Sequence, residues 1–594
     1  MSAISLNSAQ RDAVVSDEHL LCVACPGSGK TRVLVEKARH TLSANPAANI
    51  VLTTFSRDAA QEIRDRIAKS LGEGVRGRLK VGTFHALALS QLRKANALTK
   101  VLGEIETEHL IRRAIEQISS SVPFDEAEER ISRCKVDRTY AKTDPAAVQL
   151  MRAYDKLLER AGGCDFTDIM LRCVSLMDKG EVKPLSATHI YCDEFQDIDR
   201  IQFEWLRRHL SAGMISCAVG DDDQSVFGFR RALGYAGMME FAALTGARLI
   251  TLDVNYRSTE GILGSAGNLI KMNADRVPKA LKAARGQGPW PRLCFCSDAE
   301  EQAERIVGEL DELLKPRRAA PDAPAAGTSE WRFMVRKGQA AVLARINQNL
   351  ADIEAAFIKH RVPYVRSGRG LWKTDEAQAL VSLLNALDSG KGVGLEVALR
   401  FAKVADSVQT ALIERGGGSL WALVESGGAG APGGPEVARF FGAAQKWRRD
   451  LKGGKTGEVI KGAAAWLGER AGKEQGPGAE RSARRLKKLG EILGECFTGS
   501  LSSRIAATSR DDADETGRVT LATFHASKGL EWDHVILADV VKGLVPKIGD
   551  QASDAAIEEE RRVFYVAMTR ARETLTVFSA QERKSEFLAD AGLA

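Results

Sequence analysis

The 594-residue sequence lacks the two C-x-x-C pairs of a zinc ribbon, its one such spacing being Cys22 and Cys25 in the first apolar run. Its ten cysteines are scattered, and the nearest two, Cys294 and Cys296, have one residue between them, which is poor spacing for zinc. This excludes a zinc ribbon or a disulfide-framed module and predicts reduced thiols in a cytoplasmic protein. No apolar run approaches the roughly 18 residues of a membrane-spanning helix, so no membrane contact is expected. The opening MSAISLNSAQRDAVV lacks the basic-then-apolar layout of a secretory signal. A large charge excess is also missing: 84 Lys and Arg stand against 78 Asp and Glu, a net +6. That balance permits a nucleic-acid partner without indicating one, because steering depends on local clustering. No internal repeat of fixed period occurs, which excludes solenoids and arrays.

What the chain does have is apolar content, 44% of its residues, and length. It far exceeds the ~250–300 residues at which one hydrophobic core stops growing, so several domains are expected. Leu20–Ala24 reads as a strand, Cys25–Gly29 as a glycine loop, and a helical pattern follows through Leu42. Residues 49–55 form another apolar run before a helix with Ser56 as N-cap and Ala59, Ala60, Ile63, Ile67 and Leu71 at helical spacing. Later runs at His189–Cys192 and Met214–Gly220 end in acidic residues. Strands alternating with helices predict a parallel sheet covered on both faces. A second such pattern includes Ala340–Ala344 with a helix to His360, and resumes at Arg518–Thr523. The expected plan is an α/β domain over 1–89 and 186–258 with a helical insertion at 90–185. A second α/β domain spans 259–386 and 518–594, with a helical insertion at 387–517. Lys315–Ser329 reads as an exposed loop and the glycine-rich Arg415–Pro435 as flexible.

Ala24-x-x-x-x-Gly29-Lys30-Thr31 has the form of a phosphate-binding loop. Across Pro26, Gly27, Ser28 and Gly29 the backbone N–H groups can turn toward phosphate oxygens, and the next helix points its positive end at the same anion. Lys30 would reach the β and γ phosphates, and Thr31 would hold Mg²⁺. The second half of the site is a strand ending in two carboxylates, Asp193 for Mg²⁺ and Glu194 to deprotonate the attacking water. Alone, an acidic pair at a strand end is ordinarily just solvated. Beside the loop it reads as an ATPase site.

Asp193-Glu194-Phe195-Gln196-Asp197 is similar to the DEFQD signature of superfamily 1 helicases of the UvrD/Rep/PcrA group. Gly220 to Arg230 (GDDDQSVFGFR) resembles their next block, and Leu6-Asn7 with Gln10 resembles their adenine-reading motif. Thr83-Phe84-His85, Asn255-Tyr256-Arg257-Ser258, Thr523 to Glu531 and Tyr565 to Ala571 complete the set in the family's order. The resemblance implies two RecA-like P-loop NTPase domains, parallel sheets flanked by helices, each with a mainly helical insertion. It implies ATP and Mg²⁺ as cofactors, and an ATP hydrolase that moves 3′-to-5′ on single-stranded DNA and unwinds tailed duplex in repair, replication or recombination. It assigns Gln10 to the adenine edge, Tyr256 to its face, and Arg32 to the nucleotide. Gln224 becomes the γ-phosphate sensor, Arg257 and Arg570 the transition-state cations, and Glu531 a neighbour of the ribose or γ-phosphate.

Single-strand binders set aromatic platforms along a basic groove. Phe55, Phe227 and Phe229 are the candidate platforms, with Phe84 a weaker one whose alternative is core packing. His85, Arg230, Thr523 and His525 are the candidate polar contacts to the DNA backbone. Stacking alone does not separate DNA from RNA. Against the family's pattern, no extended C-terminal tail is expected, and the glycine-centred duplex-contact motif of the second insertion is not found. A second expectation is therefore a single-strand translocase, or the motor subunit of a nuclease or phage-defence complex. The protein partner is then a nuclease, a repair protein or a single-strand-binding protein.

Overall fold

The computed structural model describes residues 6–71, 77–97, 100–118, 120, 122–228, 231–314, 339–368, 370–472, 477–508, 518–549 and 552–594. The stretch Lys315–Ser329 and the candidate DNA contacts Phe229 and Arg230 lie outside the described residues. The chain divides into two compact units. One comprises residues 1–287 and 553–565, the other residues 288–552 and 566–594.

The first unit is built on a six-stranded, wholly parallel sheet. Its strands are β1 (Leu20–Ala24), β2 (Ile50–Thr54), β3 (Leu79–Thr83), β4 (His189–Cys192), β5 (Ile215–Gly220) and β6 (Arg248–Leu252), in the order β3-β2-β4-β5-β1-β6. β1 is buried along its whole length, and its alternate side chains feed two different cores. Leu21 and Val23 pack with Val51, Ile190 and Ala218 on one face, while Leu20, Cys22 and Ala24 pack with Leu52, Tyr191 and Val219 on the other. A strand covered on both faces must be apolar throughout, which is why it shows as a run rather than an alternation. Because β4, β5 and β1 are neighbours, the segments leaving their carboxyl ends converge, and this is where such sheets bind ligands. Ser56 does cap the helix after β2, its hydroxyl accepting from the Ala59 N–H at 3.1 Å.

Helices Glu104–Gln117, Phe124–Val136 and Pro145–Arg160 of this unit share a separate core around Leu110, Ile131, Leu150 and Leu157. Their buried cation, Lys135, lies 2.8–3.1 Å from Asp155, Asp165 and Asp168.

The second unit repeats the scheme with β7 (Arg292–Phe295), β8 (Ala340–Ala344), β9 (Tyr364–Arg366), β10 (Val519–Thr523), β11 (Trp532–Ala538) and β12 (Ala571–Ser579). They form a parallel sheet in the order β7-β12-β11-β8-β10-β9. The described residues between β9 and β10 are mainly helical, and Leu380, Leu383, Leu384 and Leu387 supply one apolar face to their core. The glycine-rich Arg415–Pro435, read from its composition as flexible, is not all loop. It carries the helix Trp421–Glu425, and Leu420, Leu423 and Val424 are buried. A Cβ on Gly428 would stand 2.5 Å from the Ala438 carbonyl, so glycine there serves close backbone approach.

Candidate active site

The loop after β1 is held from several sides. The Cys25 N–H donates to the Leu252 carbonyl at 3.0 Å, and Asn255 donates from Nδ2 to the Pro26 carbonyl at 2.6 Å. Gly27 has φ +63° and a Cβ there would sit 2.5 Å from the Arg257 Cβ, so both the backbone and the space demand glycine. Gly29, at φ +82°, is the N-cap of the helix Lys30–Ala44 and gives it no side-chain cap. The first-turn N–H groups and the positive end of the helix are thereby presented to the loop. Ser28 is 1% exposed, and its hydroxyl has no hydrogen-bond partner among the described residues. Burying such a group unmatched costs about 1–3 kcal/mol, which an oxyanion in the loop would relieve.

Across the cleft of this unit stand the residues that follow β4. The Lys30 ammonium lies 2.9 Å from Glu194 Oε2, and the Thr31 hydroxyl donates to Asp193 Oδ2 at 3.0 Å. Burial disfavours the Lys30 charge, but Glu194, Asp221 and Asp193 outweigh it and hold its pKa above the ordinary lysine value. Burial, reinforced by Glu194, lifts Asp193 to about 7. A hydroxyl and a carboxylate side by side are hard oxygen donors of the kind Mg²⁺ takes, so the pair fits the implied ion. Glu194 adopts φ +49° and is held in place by Gln196, whose Nε2 donates to Glu194 Oε2 at 2.7 Å. Gln224 donates from Nε2 to Asp221 Oδ2 at 2.5 Å.

The predicted base-binding residues border the same loop. Gln10 is 2% exposed; its Oε1 accepts from the Asn7 N–H at 3.0 Å and its Nε2 donates to the Ser28 carbonyl at 2.9 Å. Tyr256 exposes 38% of its surface, its hydroxyl accepting from Asn7 Nδ2 at 3.0 Å and its N–H donating to the Gly27 carbonyl at 3.0 Å. Arg257 follows directly, and Arg32 lies in the first turn of the helix after the loop.

In the second unit, Arg570 is buried. It donates from Nε to the Val566 carbonyl at 2.9 Å, and from its two terminal nitrogens to the Leu530 carbonyl and the Thr569 hydroxyl, each at 3.3 Å. Glu531 pairs with Arg572. Thr523 ends β10, its hydroxyl accepting from the Ala526 N–H at 3.2 Å, and His525 sits in the turn that follows.

The candidate platforms divide. Phe55, 47% exposed, stacks on Phe227 with centroids 5.4 Å apart and planes 4° from parallel. Phe84 is 5% exposed and meets Trp205 edge-on in the core, which corrects its reading as a base contact. His85 stacks on Phe166 at 4.0 Å, and burial lowers its pKa to about 4, so its ring is neutral near pH 7.

Residues 6–236 match the UvrD/REP helicase N-terminal domain, and residues 250–391 with 473–582 match the UvrD-like helicase C-terminal domain. The chain belongs to the UvrD-like helicases. Relatives align along nearly its whole length. Protein YjcD of Bacillus subtilis (strain 168) is 28% identical over 98% of this chain and 80% of its own. DNA helicase II of Rickettsia typhi is 26% identical over 98% and 93%, and ATP-dependent DNA helicase PcrA of Staphylococcus epidermidis 25% identical over 98% and 84%. Membership makes this helicase an ATP hydrolase built on two RecA-like domains. None of its described helices is long and apolar enough to cross a membrane.

Three features of this helicase site escape sequence reading. Asn255 is wholly buried and braces the phosphate loop, while its Oδ1 accepts from the N–H groups of Arg257 and Ser258 at 2.9 and 2.7 Å. The sequence placed Asn255 in a motif without showing this role. Phe166 leaves 56% of its surface exposed beside His85, and only the Asp-Phe pair opening a helix hints at it. Lys279 and Arg276 enclose the aspartates of the sensor loop, and nothing in their local sequence announces it.

Proposed function

We propose that this chain is a DNA-stimulated ATPase that travels 3′-to-5′ along single-stranded DNA and unwinds duplex carrying a 3′ tail, in repair, replication or recombination. One observation carries the reading. The segment Gly220–Gly228 carries Gln224, bonded to the Asp221 carboxylate whose charge reaches Lys30 of the phosphate loop, and, three residues on, Phe227 stacked face to face with Phe55. A shift of that segment with nucleotide state would move a base platform. Lys30 is assigned to the β and γ phosphates, and leaving Glu194 for them frees that carboxylate to accept a proton from water. Thr31 and Asp193 would hold Mg²⁺, which supplies charge neutralisation. Gln10 and Tyr256 are assigned to the adenine, Arg32 and Glu531 to other parts of the nucleotide. Arg257 and Arg570 are assigned to the transition-state charge. Phe55, Phe227, Phe229, His85, Arg230, Thr523 and His525 form the proposed DNA track.

The test is ATP hydrolysis with and without single-stranded DNA, beside strand displacement on 3′-tailed and 5′-tailed duplexes. Stimulation with displacement of the 3′-tailed duplex alone supports the proposal; displacement of the 5′-tailed duplex alone reverses its direction. A second reading is a translocase serving a nuclease, repair or single-strand-binding partner. It is favoured by residues 392–472, which the UvrD-like C-terminal pattern leaves unmatched. Strong stimulation with no displacement would select it.

A further inference from the structure

Asp221, Asp222 and Asp223 are each no more than 1% exposed, and their carboxylate oxygens lie within 4.8 Å of one another. Three adjacent buried anions require a cation, and the one between them is Lys279. Its ammonium stands 2.8 Å from Asp221, 2.6 Å from Asp222 and 2.8 Å from Asp223, on a side chain with no solvent exposure. The ammonium donates to Asp221 Oδ1 and Asp222 Oδ1, and Asp223 completes the set as an ion pair. Arg276 forks onto Asp223 at 2.8 and 2.7 Å, and the Val277 N–H donates to Asp222 Oδ2 at 2.6 Å. The segment 276–279, beyond the helix Glu260–Ile270, is thereby laced onto the sensor loop.

One member of this cluster also reaches the nucleotide site. Asp221 gives Oδ1 to Lys279 and Oδ2 to the Gln224 amide. Its N–H donates to Gln196 Oε1 at 2.9 Å, which turns Gln196 Nε2 toward Glu194. We propose that Lys279 is a positioning residue for ATP hydrolysis. It pins Asp221, and Asp221 sets the carboxamide of Gln224 and, through Gln196, the carboxylate of Glu194. Lysine suits the position because its compact charge can face three carboxylates, whereas a guanidinium is a planar fork that pairs along one edge. The inference rests on the assignment of Gln224 and Glu194 to the γ-phosphate made above.

The experiment uses the full chain with the charge-balanced pair Lys279→Met and Asp222→Asn, which removes one cation and one anion and leaves Asp221, Gln196 and Gln224 themselves unaltered. Readouts are thermal unfolding, equilibrium binding of a fluorescent ATP analogue, and kcat and KM for ATP on single-stranded DNA. The expected result is cooperative unfolding and unchanged nucleotide affinity and KM, with kcat lowered by about 100-fold, as for loss of one preorganised transition-state donor. Lys279→Arg is expected to keep the fold without restoring kcat. A wild-type kcat in the charge-balanced variant would reduce Lys279 to a counter-ion and overturn the proposal. Loss of cooperative unfolding in that variant, or matched losses of affinity and kcat, would make it a fold-holding residue and also overturn the proposal. Absence of DNA-stimulated turnover in the wild type sinks the parent reading, and this one with it; wild-type turnover with an unimpaired variant sinks only this one.

Discussion

Glu194 holds a left-handed backbone conformation, φ +49°, that costs a non-glycine residue about 1–3 kcal/mol. The strain aims its carboxylate at Lys30, and Gln196 fixes the same oxygen from the other side. Glu194→Gln keeps the shape and removes the base. DNA-stimulated kcat is expected to fall by at least ~10²-fold, the usual worth of a positioned general base. Equilibrium ATP affinity should hold or rise, since Lys30 loses an anionic competitor; wild-type kcat in the variant would remove Glu194 from the chemistry. The loop and its acidic partners were legible in the sequence because each constraint is local: a strand, a glycine turn and a helix start occupy adjacent residues. Lys279 was not, because its three partners lie more than fifty residues upstream and a lysine in that segment looks like any solvated cation.

At the scale of elements, Phe55 leaves β2 and Phe227 leaves β5 by way of the sensor loop, and their rings meet. Each alanine substitution is expected to weaken single-strand binding by about 1–3 kcal/mol per stacked base. Because the two rings touch, the losses should not add; additive effects in a double-mutant cycle would mean that the rings serve separate bases independently. A second property belongs to the helices packed on this sheet. His209 is fully buried, its Nδ1 bonded to the Trp205 carbonyl and its Nε2 beside Gln91, and burial lowers its pKa to about 4, as for His85. The unfolded chain, with histidines near 6.5, binds more protons than the folded one between those values. Stability from these two groups is therefore complete above pH 6.5 and is lost as pH falls toward 4. Urea midpoints at pH 7 and pH 5 should show the drop, and His209→Gln should shrink it. An undiminished slope would assign the acid sensitivity to carboxylates instead. Apolar runs made the strands legible, whereas Phe84 stood between base contact and core packing because its motif neighbours gave no hint of the Trp205 edge that buries it.

For the whole molecule the two-sheet plan was readable because motif order carries topology: the phosphate loop and the blocks opening at Asp193, Gly220 and Thr523 each lie at the end of a strand, and strands ending together build a cleft. The packing of the glycine-rich Arg415–Pro435 was hidden, since close approach and flexibility call for the same residue. Arg570 lies in the second unit, its guanidinium held by the Val566 and Leu530 carbonyls and the Thr569 hydroxyl. If it supplies charge to the γ-phosphate, Arg570→Ala should lower DNA-stimulated kcat by ~10³–10⁵, the range for such arginines. Removing it also leaves buried acceptors unmatched, which costs about 1–3 kcal/mol of stability in that unit. The two effects separate in Arg570→Lys, which keeps a cation near those acceptors and loses the planar fork. A catalytic role predicts recovered thermal stability with kcat still depressed. Recovery of both together would make Arg570 a brace for the turn before β12, and the transition-state charge would then rest on Arg257 and Lys30 in the first unit.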